Sequence, residues 1–420
     1  MTLSHTRRTT CRACGARDLR LVVDLGSTAL ANSFPRSAAE FADERRYPLE
    51  LFFCPACSLV QLIDVVPPEQ LFSNYIYVTG TSDTIAAHNL RYAQSVVEHL
   101  KLGRDDLVVE VASNDGSLLR CFQTHGVRVT GVEPATNIAE RAVAAGVPTL
   151  NHFFGHEEGR KLRSEIGAAK AVIGNNVLAH VDDTLGFLRG ARELLAEDGR
   201  AIFEVPYLGE FVERLEYDTV YHEHLCYFSV TALMRLFEEA GMRIARVERH
   251  PIHGGSVRVF GARAAKDAAH GEDALAFAKQ EQAAGWTSLA RYERFARDVA
   301  ANKRALVGLL TRLRSEGKTV AAYGAPAKGN TLLQYCEITP ALLPYTVDKN
   351  PLKVGLFTPG SHLPVLAVDT LLARQPDFVL ILAWNFADEI MGQQAEYARR
   401  GGRFILPLPE PKILEQRAAV

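Results

Sequence analysis

Two Cys-x-x-Cys pairs near the N-terminus constrain this chain most, because paired thiolates at that spacing can share one metal ion. The pairs are Cys11–Cys14 and Cys54–Cys57. Two such turns supply the four sulfurs of a tetrahedral Zn²⁺ site. The alternative is two unrelated turns with free or redox-active thiols, but two pairs in one short region favour zinc. Because four thiolates leave no open coordination position, we predict a structural zinc site in a small domain of residues 1–68.

Length and charge limit what the rest of the chain can be. At about 100–200 residues per domain, 420 residues predict two to four domains. The 47 Lys and Arg residues nearly balance 49 Asp and Glu residues, so nucleic acid is not an expected partner. No apolar run reaches the ~18 residues that span a bilayer, and the N-terminus has no signal-peptide pattern. We therefore expect a cytoplasmic protein without membrane contact, either a monomer or a small homo-oligomer.

Strands and helices alternate along the remainder of the chain, which predicts an α/β fold class. Residues 69–265 form the first α/β unit, a doubly wound and mainly parallel sheet. Its predicted strands are Leu107–Val111, Val127–Val132, Ala169–Gly174 and Arg200–Val205. A helical connector of residues 266–303 follows, and residues 304–420 form a second α/β unit. The strands predicted there are Thr319–Tyr323, Tyr345–Val347, Val365–Ala367, Phe378–Ala383 and Arg403–Pro407.

The first α/β unit contains a candidate cofactor loop. Its first strand ends in Glu-x-Ala-Ser-Asn-Asp-Gly, and the next strand ends at Glu133. Small loop residues let the backbone approach an adenosyl ligand, and a carboxylate can accept hydrogen bonds from two ribose hydroxyls. Asp115 would repel a pyrophosphate, which disfavours NAD and favours the cationic S-adenosylmethionine (SAM). The alternative is a turn that binds nothing. The predicted cofactor residues are Ala112, Ser113, Asn114, Asp115, Gly116, Glu133, Pro134, Asn175 and Asn176.

The segment Tyr221–Phe228 concentrates titratable side chains among apolar and aromatic residues, which indicates a partly enclosed cleft. On a strand, His222 and His224 would share one face, but no further metal ligand lies nearby in sequence. We therefore favour acid–base chemistry over metal binding, and both over a polar surface patch. His180 is a further candidate because it follows a parallel strand, where ligands bind in open α/β sheets. Tyr75 and Tyr77 are candidates too, although a tyrosine pair often packs between domains.

Several short motifs along the chain occur together in one known enzyme family. Besides the cysteine pairs and the cofactor loop, they are Leu30-Ala-Asn-Ser-Phe34, Tyr75-Ile-Tyr77, Asn175-Asn176-Val-Leu-Ala-His180, Tyr221-His-Glu-His224, Gly324-Ala-Pro-Ala-Lys-Gly-Asn-Thr-Leu-Leu333, Asp348-Lys-Asn-Pro-Leu-Lys353 and Ala383-Trp-Asn-Phe-Ala-Asp-Glu-Ile390. With them, the whole chain resembles the sugar C-methyltransferases that act on nucleotide-linked 4-keto-6-deoxyhexoses in bacterial deoxysugar biosynthesis.

This resemblance implies three parts: an N-terminal zinc-binding domain, a central Rossmann-like SAM domain and a C-terminal Rossmann-like domain for the nucleotide sugar. It also implies methyl transfer to the carbon next to the sugar ketone, C3, through an enolate. His224 is then the base, and Glu223 orients or tunes it. The residues implied to hold the sugar or donate to the enolate oxygen are Tyr221, Tyr75, Tyr77 and His180.

Residues in the C-terminal unit fit the substrate that the resemblance implies. The loop Gly324–Asn330 precedes a helix at Thr331, and a helix N-terminus offers N–H groups to phosphates. Lys328 supplies a local cation for the diphosphate. Several polar residues sit at or just after predicted strand ends, where contacts to base or ribose are expected. The predicted substrate residues here are Lys328, Asn330, Thr331, Asp348, Lys353, Trp384 and Asn385.

Other functions remain open at this point. The C-terminal unit could serve a nicotinamide-dependent sugar oxidoreductase, or a bifunctional methyltransferase that also reduces the ketone, although it lacks Gly-x-Gly-x-x-Gly. A zinc-ribbon module that binds nucleic acid is disfavoured by the balanced charge.

Overall fold

The computed structural model describes residues 5–72, 83–252, 254–265 and 268–414. The N-terminal region consists of short strands around the cysteine pairs. Its strands are β1 Thr6–Arg7, β2 Arg20–Ala29, β3 Arg46–Phe53, β4 Val60–Leu62 and β5 Asp64–Val65. Along β3, Tyr47, Leu49 and Leu51 are buried and alternate with more exposed residues. This period of two explains why the segment forms a strand with one face toward the core.

The central region forms a seven-stranded sheet in the order β12-β13-β10-β9-β6-β7-β8. Its strands are β6 Leu107–Val111, β7 Arg128–Val132, β8 Thr149–Leu150, β9 Ala169–Asn175, β10 Leu195–Pro206, β12 Met242–His250 and β13 Ser256–Arg263. The predicted strands correspond to β6, β7, β9 and β10, although β10 begins at Leu195, before the predicted start at Arg200. Three strands were not predicted: β8 pairs parallel with β7, β13 pairs antiparallel with β10, and β12 pairs antiparallel with β13.

Helices cover both faces of this sheet. They are α1 Pro68–Phe72, α2 Asp83–Leu100, α3 Ser117–Gln123, α4 Thr136–Ala144, α5 His156–Ile166, α6 Thr184–Leu194, α7 Leu208–Glu213 and α8 Val230–Glu239. The buried strands β6 and β9 are almost wholly apolar, as expected for parallel strands covered on both sides. The strand order reverses between β6 and β9, so a topological switch point opens at their carboxyl ends.

The C-terminal region begins with two helices and continues as a second sheet, in the order β16-β15-β14-β17-β18-β19. Its strands are β14 Val320–Tyr323, β15 Thr346–Asp348, β16 Val365–Ala367, β17 Phe378–Ile381, β18 Arg403–Leu406 and β19 Lys412–Ile413. Its helices are α9 Glu272–Ala283, α10 Leu289–Ser315, α11 Ala327–Tyr335, α12 Thr370–Arg374, α13 Ala387–Gln393 and α14 Ala395–Arg399. Only β19 is antiparallel to its neighbour. The predicted α/β fold class is confirmed.

One strand joins regions that are distant in sequence. β11, Cys226–Tyr227, follows the Tyr221–His224 motif and pairs antiparallel with β4 of the zinc-binding region. It thereby becomes the outer strand of the four-stranded sheet β11-β4-β3-β2. The segment that carries the candidate base is thus fixed by the N-terminal region as well as by the central one. Among the described residues, no helix is both long and apolar enough to cross a membrane.

Candidate active site

The cysteine sulfurs converge in the N-terminal region. All four lie within 4.8 Å of one another, with Cys11 3.5 Å from Cys57 and Cys14 3.6 Å from Cys54. A tetrahedral zinc site with Zn–S bonds of about 2.3 Å needs sulfurs about 3.8 Å apart, so the cluster fits this metal. The four residues are Cys11, Cys14, Cys54 and Cys57.

A glutamine connects this cluster to the candidate catalytic segment. The side-chain amide of Gln61 donates to the sulfur of Cys11 over 3.2 Å, and its carbonyl oxygen accepts from the backbone of Arg12 over 3.1 Å. Gln61 lies on β4 directly opposite Cys226 on β11. Gln61 and Cys226 therefore connect the cysteine cluster to β11, the strand that follows His224.

A cavity of about 500 Å³ lies at the switch point between β6 and β9. Seven of the nine predicted cofactor residues line it, namely Ala112, Ser113, Asn114, Glu133, Pro134, Asn175 and Asn176. The other two do not. Asp115 lies in the turn behind the lining residues, and Gly116 has a φ of 70°. A Cβ on Gly116 would lie 2.8 Å from Val147, so this glycine allows the loop to pack closely.

Glu133 has the geometry expected of a ribose ligand. Its two carboxylate oxygens accept hydrogen bonds from the backbone N–H groups of Asn114 and Ala135, each over 2.9 Å. Burial raises the pKa of Glu133, while these two donors oppose the rise. The carboxylate is thus held in place at the cavity wall, with lone pairs left for hydroxyl groups of a ligand.

Two buried acidic residues in the cavity wall were not predicted as site residues. Glu110 is buried, and burial together with the charges of Asp115 and Glu133 raises its pKa well above the ordinary value. Burial would also raise the pKa of Glu204, but the hydrogen bond from His88 and the charge of Arg258 lower it to about 2. Glu110 is the first residue of the Glu-x-Ala-Ser-Asn-Asp-Gly motif, but its burial was not foreseen. Glu204 belongs to no local motif, because its partners His88 and Arg258 lie on α2 and β13.

The carboxylate of Glu204 is the centre of a buried ionic group. His88 Nε2 lies 2.8 Å from one of its oxygens, and two guanidinium nitrogens of Arg258 lie 2.7 and 3.0 Å from the other. The Arg258 guanidinium also stacks 3.7 Å from the ring centroid of Tyr92. Because His88 and Glu204 both line the cavity, this group forms part of its wall.

His224 has one ring nitrogen held by the backbone and the other facing Tyr221. Its Nδ1 lies 2.9 Å from the carbonyl oxygen of Thr219, and its Nε2 lies 2.8 Å from the hydroxyl of Tyr221. A carbonyl only accepts, so the Nδ1 of the neutral ring carries the proton and Nε2 keeps its lone pair. His224 Nε2 can therefore act as a base.

His180 places this base next to the cofactor cavity. Its ring lies 4.9 Å from that of His224, and His180 itself lines the cavity. Burial and the neighbouring His224 lower the pKa of His180 well below the ordinary value, so it is a neutral imidazole that can donate one hydrogen bond. The predicted residues Tyr75 and Tyr77 lie outside the described residues.

The other two side chains of the motif point elsewhere. Tyr221–His224 forms a turn, so the arrangement considered for a strand, with both histidines on one face, does not occur. His222 is buried, its Nε2 lies 3.2 Å from the carbonyl of Pro48, and burial lowers its pKa to about 4. Glu223 accepts a hydrogen bond of 2.7 Å from the amide of Asn32, in the Leu30–Phe34 motif.

Some predicted substrate residues have structural contacts of their own. Asn330 is fully buried and donates to the carbonyl of Ala31 over 2.7 Å, and the adjacent Thr331 is also buried. Asp348 accepts from the backbone of Ala325 over 2.7 Å, and Lys353 donates to the carbonyl of that same residue over 2.8 Å. These contacts shape the Gly324–Asn330 loop and dock the N-terminal region on it.

Three predicted substrate residues remain. Trp384 and Asn385 follow the carboxyl end of β17, and Lys328 contacts Trp384. Trp384 and Asn385 line a second cavity of about 300 Å³, beside Pro251 and Ile252 of the central region. The Lys328 ammonium lies 4.2 Å from the centroid of the Trp384 ring. Burial lowers the pKa of Lys353, and the charges of Asp348 and Glu223 oppose this shift. Lys353 therefore interacts electrostatically with Glu223 of the Tyr221–His224 motif.

A mainly parallel sheet with a cofactor cavity at its switch point is the arrangement expected of a SAM-dependent methyltransferase. Family models agree region by region. A methyltransferase domain model matches residues 86–247, a model of proposed zinc binding domains matches residues 11–72, and a C-methyltransferase C-terminal domain model matches residues 251–409. The C-methyltransferase NovU of Streptomyces niveus is 38% identical over 410 residues, which cover 98% of each chain. The chain therefore belongs to the family of C-methyltransferases with an N-terminal zinc-binding domain.

Two solved methyltransferase structures each match less than half of the chain. Magnesium protoporphyrin IX methyltransferase (ChlM) from Synechocystis PCC 6803 is 16% identical with a TM-score of 0.34, covering 46% of this chain and 92% of that one. The CcbJ methyltransferase from Streptomyces caelestis is 15% identical with a TM-score of 0.34, covering 42% of this chain and 90% of that one.

Proposed function

We propose that the protein transfers a methyl group from SAM to C3 of a nucleotide-linked 4-keto-6-deoxyhexose. The observation that carries this proposal is the position of His224, whose ring lies 4.9 Å from that of His180 in the wall of the cofactor cavity. A proton on the carbon next to a ketone is acidic enough for a positioned imidazole to remove. When bound, SAM supplies an electrophilic methyl group, and Glu133 with the Ala112–Asn114 backbone would hold its adenosyl part.

The protein's own groups would then manage one proton and one developing charge. His224 Nε2 takes the proton from the sugar carbon, and the Thr219 carbonyl holds the opposite side of the resulting imidazolium through Nδ1–H. Electrons move into the former ketone oxygen. Tyr221 and the neutral His180 are donors close enough to His224 to stabilise that enolate oxygen, and Tyr75 is a further candidate for this task.

We place the nucleotide of the substrate along the carboxyl edge of the C-terminal sheet. The first turn of α11, which begins at Ala327, offers N–H groups for phosphate oxygens, whereas the N–H groups of Gly324 and Ala325 already bond to Val347 and Asp348. Lys353 lies near Glu223 and adds a local positive charge close to the motif. Asn385 lines the second cavity, and it is our candidate for contact with the base or ribose of the nucleotide.

Mass spectrometry of reactions with SAM and a panel of nucleotide-linked 4-keto-6-deoxyhexoses tests this proposal. We expect one panel member to gain a single methyl group, and NMR of the product to place that group on C3. The same panel with the His224→Asn variant is the control for enzyme-dependent transfer. Methylation on oxygen or at another carbon would contradict the proposal. A parallel titration with NAD(P)H addresses the alternative: tight binding would favour a reductase activity in the C-terminal region.

A further inference from the structure

The carbonyl that orients His224 belongs to a short 3-10 turn, Tyr217–Thr219. Thr219 accepts from His224 Nδ1, and Tyr227 also donates its hydroxyl to the same oxygen over 3.2 Å. The tautomer of the base, and with it the nitrogen that can take a proton, thus depends on where this one turn is held.

Side chains of the C-terminal region hold the turn from the other side. The indole N–H of Trp384 donates to the carboxylate of Asp218 over 2.6 Å, and Asp218 is fully buried. The hydroxyl of Tyr217 donates to Asn302 on α10 over 2.8 Å. Each side chain of the turn before Thr219 therefore has a partner beyond residue 300.

The Trp384 contact is the more consequential of the two because it involves a buried carboxylate. Burial raises the pKa of Asp218 to about 6 and that of Glu216 to about 8, and the charge of Lys328 opposes both shifts. Apart from these charges, the Trp384 N–H is the side-chain donor that fixes the direction of the Asp218 carboxylate. Losing a partner from a buried carboxylate costs more than an ordinary hydrogen bond, so the turn would move.

We propose that Trp384 is a positioning residue for the base: acting through Asp218 and the Thr219 carbonyl, it keeps His224 in the tautomer with the proton on Nδ1. The inference rests on the proposed role of His224 but concerns a different property, the state of its ring before any substrate binds. It assigns Trp384 a task other than the substrate contact expected from the sequence. The indole N–H that could have bound a ligand is already committed to Asp218.

Nitrogen NMR of the full-length protein labelled with ¹⁵N-histidine tests this directly. The signals of His224 are assigned by their loss in the His224→Asn variant, and the two ring nitrogens report the tautomer at a pH where the ring is neutral. We expect the Nδ1–H form in the wild type and a mixture with the Nε2–H form in Trp384→Phe, which keeps an aromatic ring but has no N–H. A wild-type tautomer in Trp384→Phe overturns the proposal.

The matched control is the same substitution at the chain's other tryptophan. Trp286 donates to Glu213 over 3.3 Å, away from the turn, so Trp286→Phe should leave the His224 signals unchanged. A second pair of variants guards against misfolding. Asp218→Asn keeps an oxygen that accepts from Trp384 and should retain the Nδ1–H form, whereas Asp218→Ala should lose it. Equal spectra for these two variants would also contradict the proposal.

Kinetics then separate positioning from substrate contact. With the methyl acceptor identified by the panel, Trp384→Phe should lower kcat about tenfold while KM stays within about twofold, because the base is misplaced but the sugar site is intact. A raised KM with unchanged kcat would instead make Trp384 a substrate contact and overturn the proposal. Since the NMR arm needs no methyl acceptor, a failed panel would refute the proposed function without deciding the tautomer.

Discussion

The cofactor cavity and the His224 site lie side by side but are assembled in different ways. The cavity is lined mostly by residues that follow successive strands of one sheet, within the span from Pro68 to Glu204. The His224 ring is positioned by a turn that depends on Trp384, and its neighbour Glu223 is bound by Asn32. One site is therefore local to a domain, and the other exists only when three distant parts of the chain pack together.

Replacement of His224 should have the largest effect, because it should change the His224 site and leave the cofactor cavity unchanged. His224→Asn removes the base but leaves the cavity wall intact, so we expect methyl transfer to fall by about 10²–10⁴-fold with SAM affinity unchanged. Turnover with saturating substrate and calorimetric titration with SAM measure the two effects. His222→Asn is not a clean control, because its ring supports Pro48; His125→Asn, on an exposed turn after α3, is a better one. Unchanged turnover would remove His224 from the mechanism.

The Arg258→Met substitution tests whether the buried ionic group around Glu204 stabilises the wall of the cofactor cavity. It leaves Glu204 buried without its guanidinium partner, which should destabilise the protein by about 3–5 kcal/mol. The pKa of Glu204, lowered to about 2, gives the pH dependence its sign. In the wild type this group's contribution is complete above about pH 4.5 and is lost as the pH falls toward 2.

In Arg258→Met the part of the stability that is lost between about pH 4.5 and 2 should become smaller, because without the guanidinium charge the pKa of Glu204 in the folded protein rises toward its unfolded value. Urea unfolding at a series of pH values measures this, with the exposed Arg128→Met on β7 as the control. If both variants unfold alike at every pH, the ionic group does not support the cavity.

The same contrast explains what the sequence could predict. The predicted boundaries of β6, Leu107–Val111, are those observed, and Glu133 follows from its place at the end of β7, because parallel strands and their terminal loops leave local patterns. The strands β12 and β13 were missed, since their antiparallel pairing to β10 is a tertiary choice. No sequence pattern indicates the role of Thr219, because it contacts His224 through its backbone carbonyl and not through its side chain. The SAM and zinc predictions are confirmed by the family, whereas the roles of individual residues stay predictions.

Glu133→Gln should weaken the cofactor site alone. The amide of glutamine directs one N–H group toward a backbone donor, so one hydrogen bond in the loop is lost together with an acceptor for ribose. We expect the Kd for SAM to rise about tenfold, which corresponds to about 1.4 kcal/mol. Glu140→Gln, on the exposed side of α4, is the matched control. An unchanged Kd would show that Glu133 is not a ligand contact and serves only to shape the loop.

The smallest expected effect addresses the contact between the N-terminal region and the motif. Asn32→Ala removes the 2.7 Å hydrogen bond to Glu223, a buried carboxylate next to the base. A hydrogen bond to a charged group is worth about 1.5–3 kcal/mol, but the charge of Lys353 still compensates part of the loss. We therefore expect kcat to fall only about fivefold, with the SAM affinity untouched. Ser33→Ala, at the exposed neighbouring position, should leave kcat unchanged. If Asn32→Ala behaves like Ser33→Ala, the N-terminal region acts on the base only through the pairing of β4 with β11, and the His224 site depends on fewer parts of the chain than its contacts suggest.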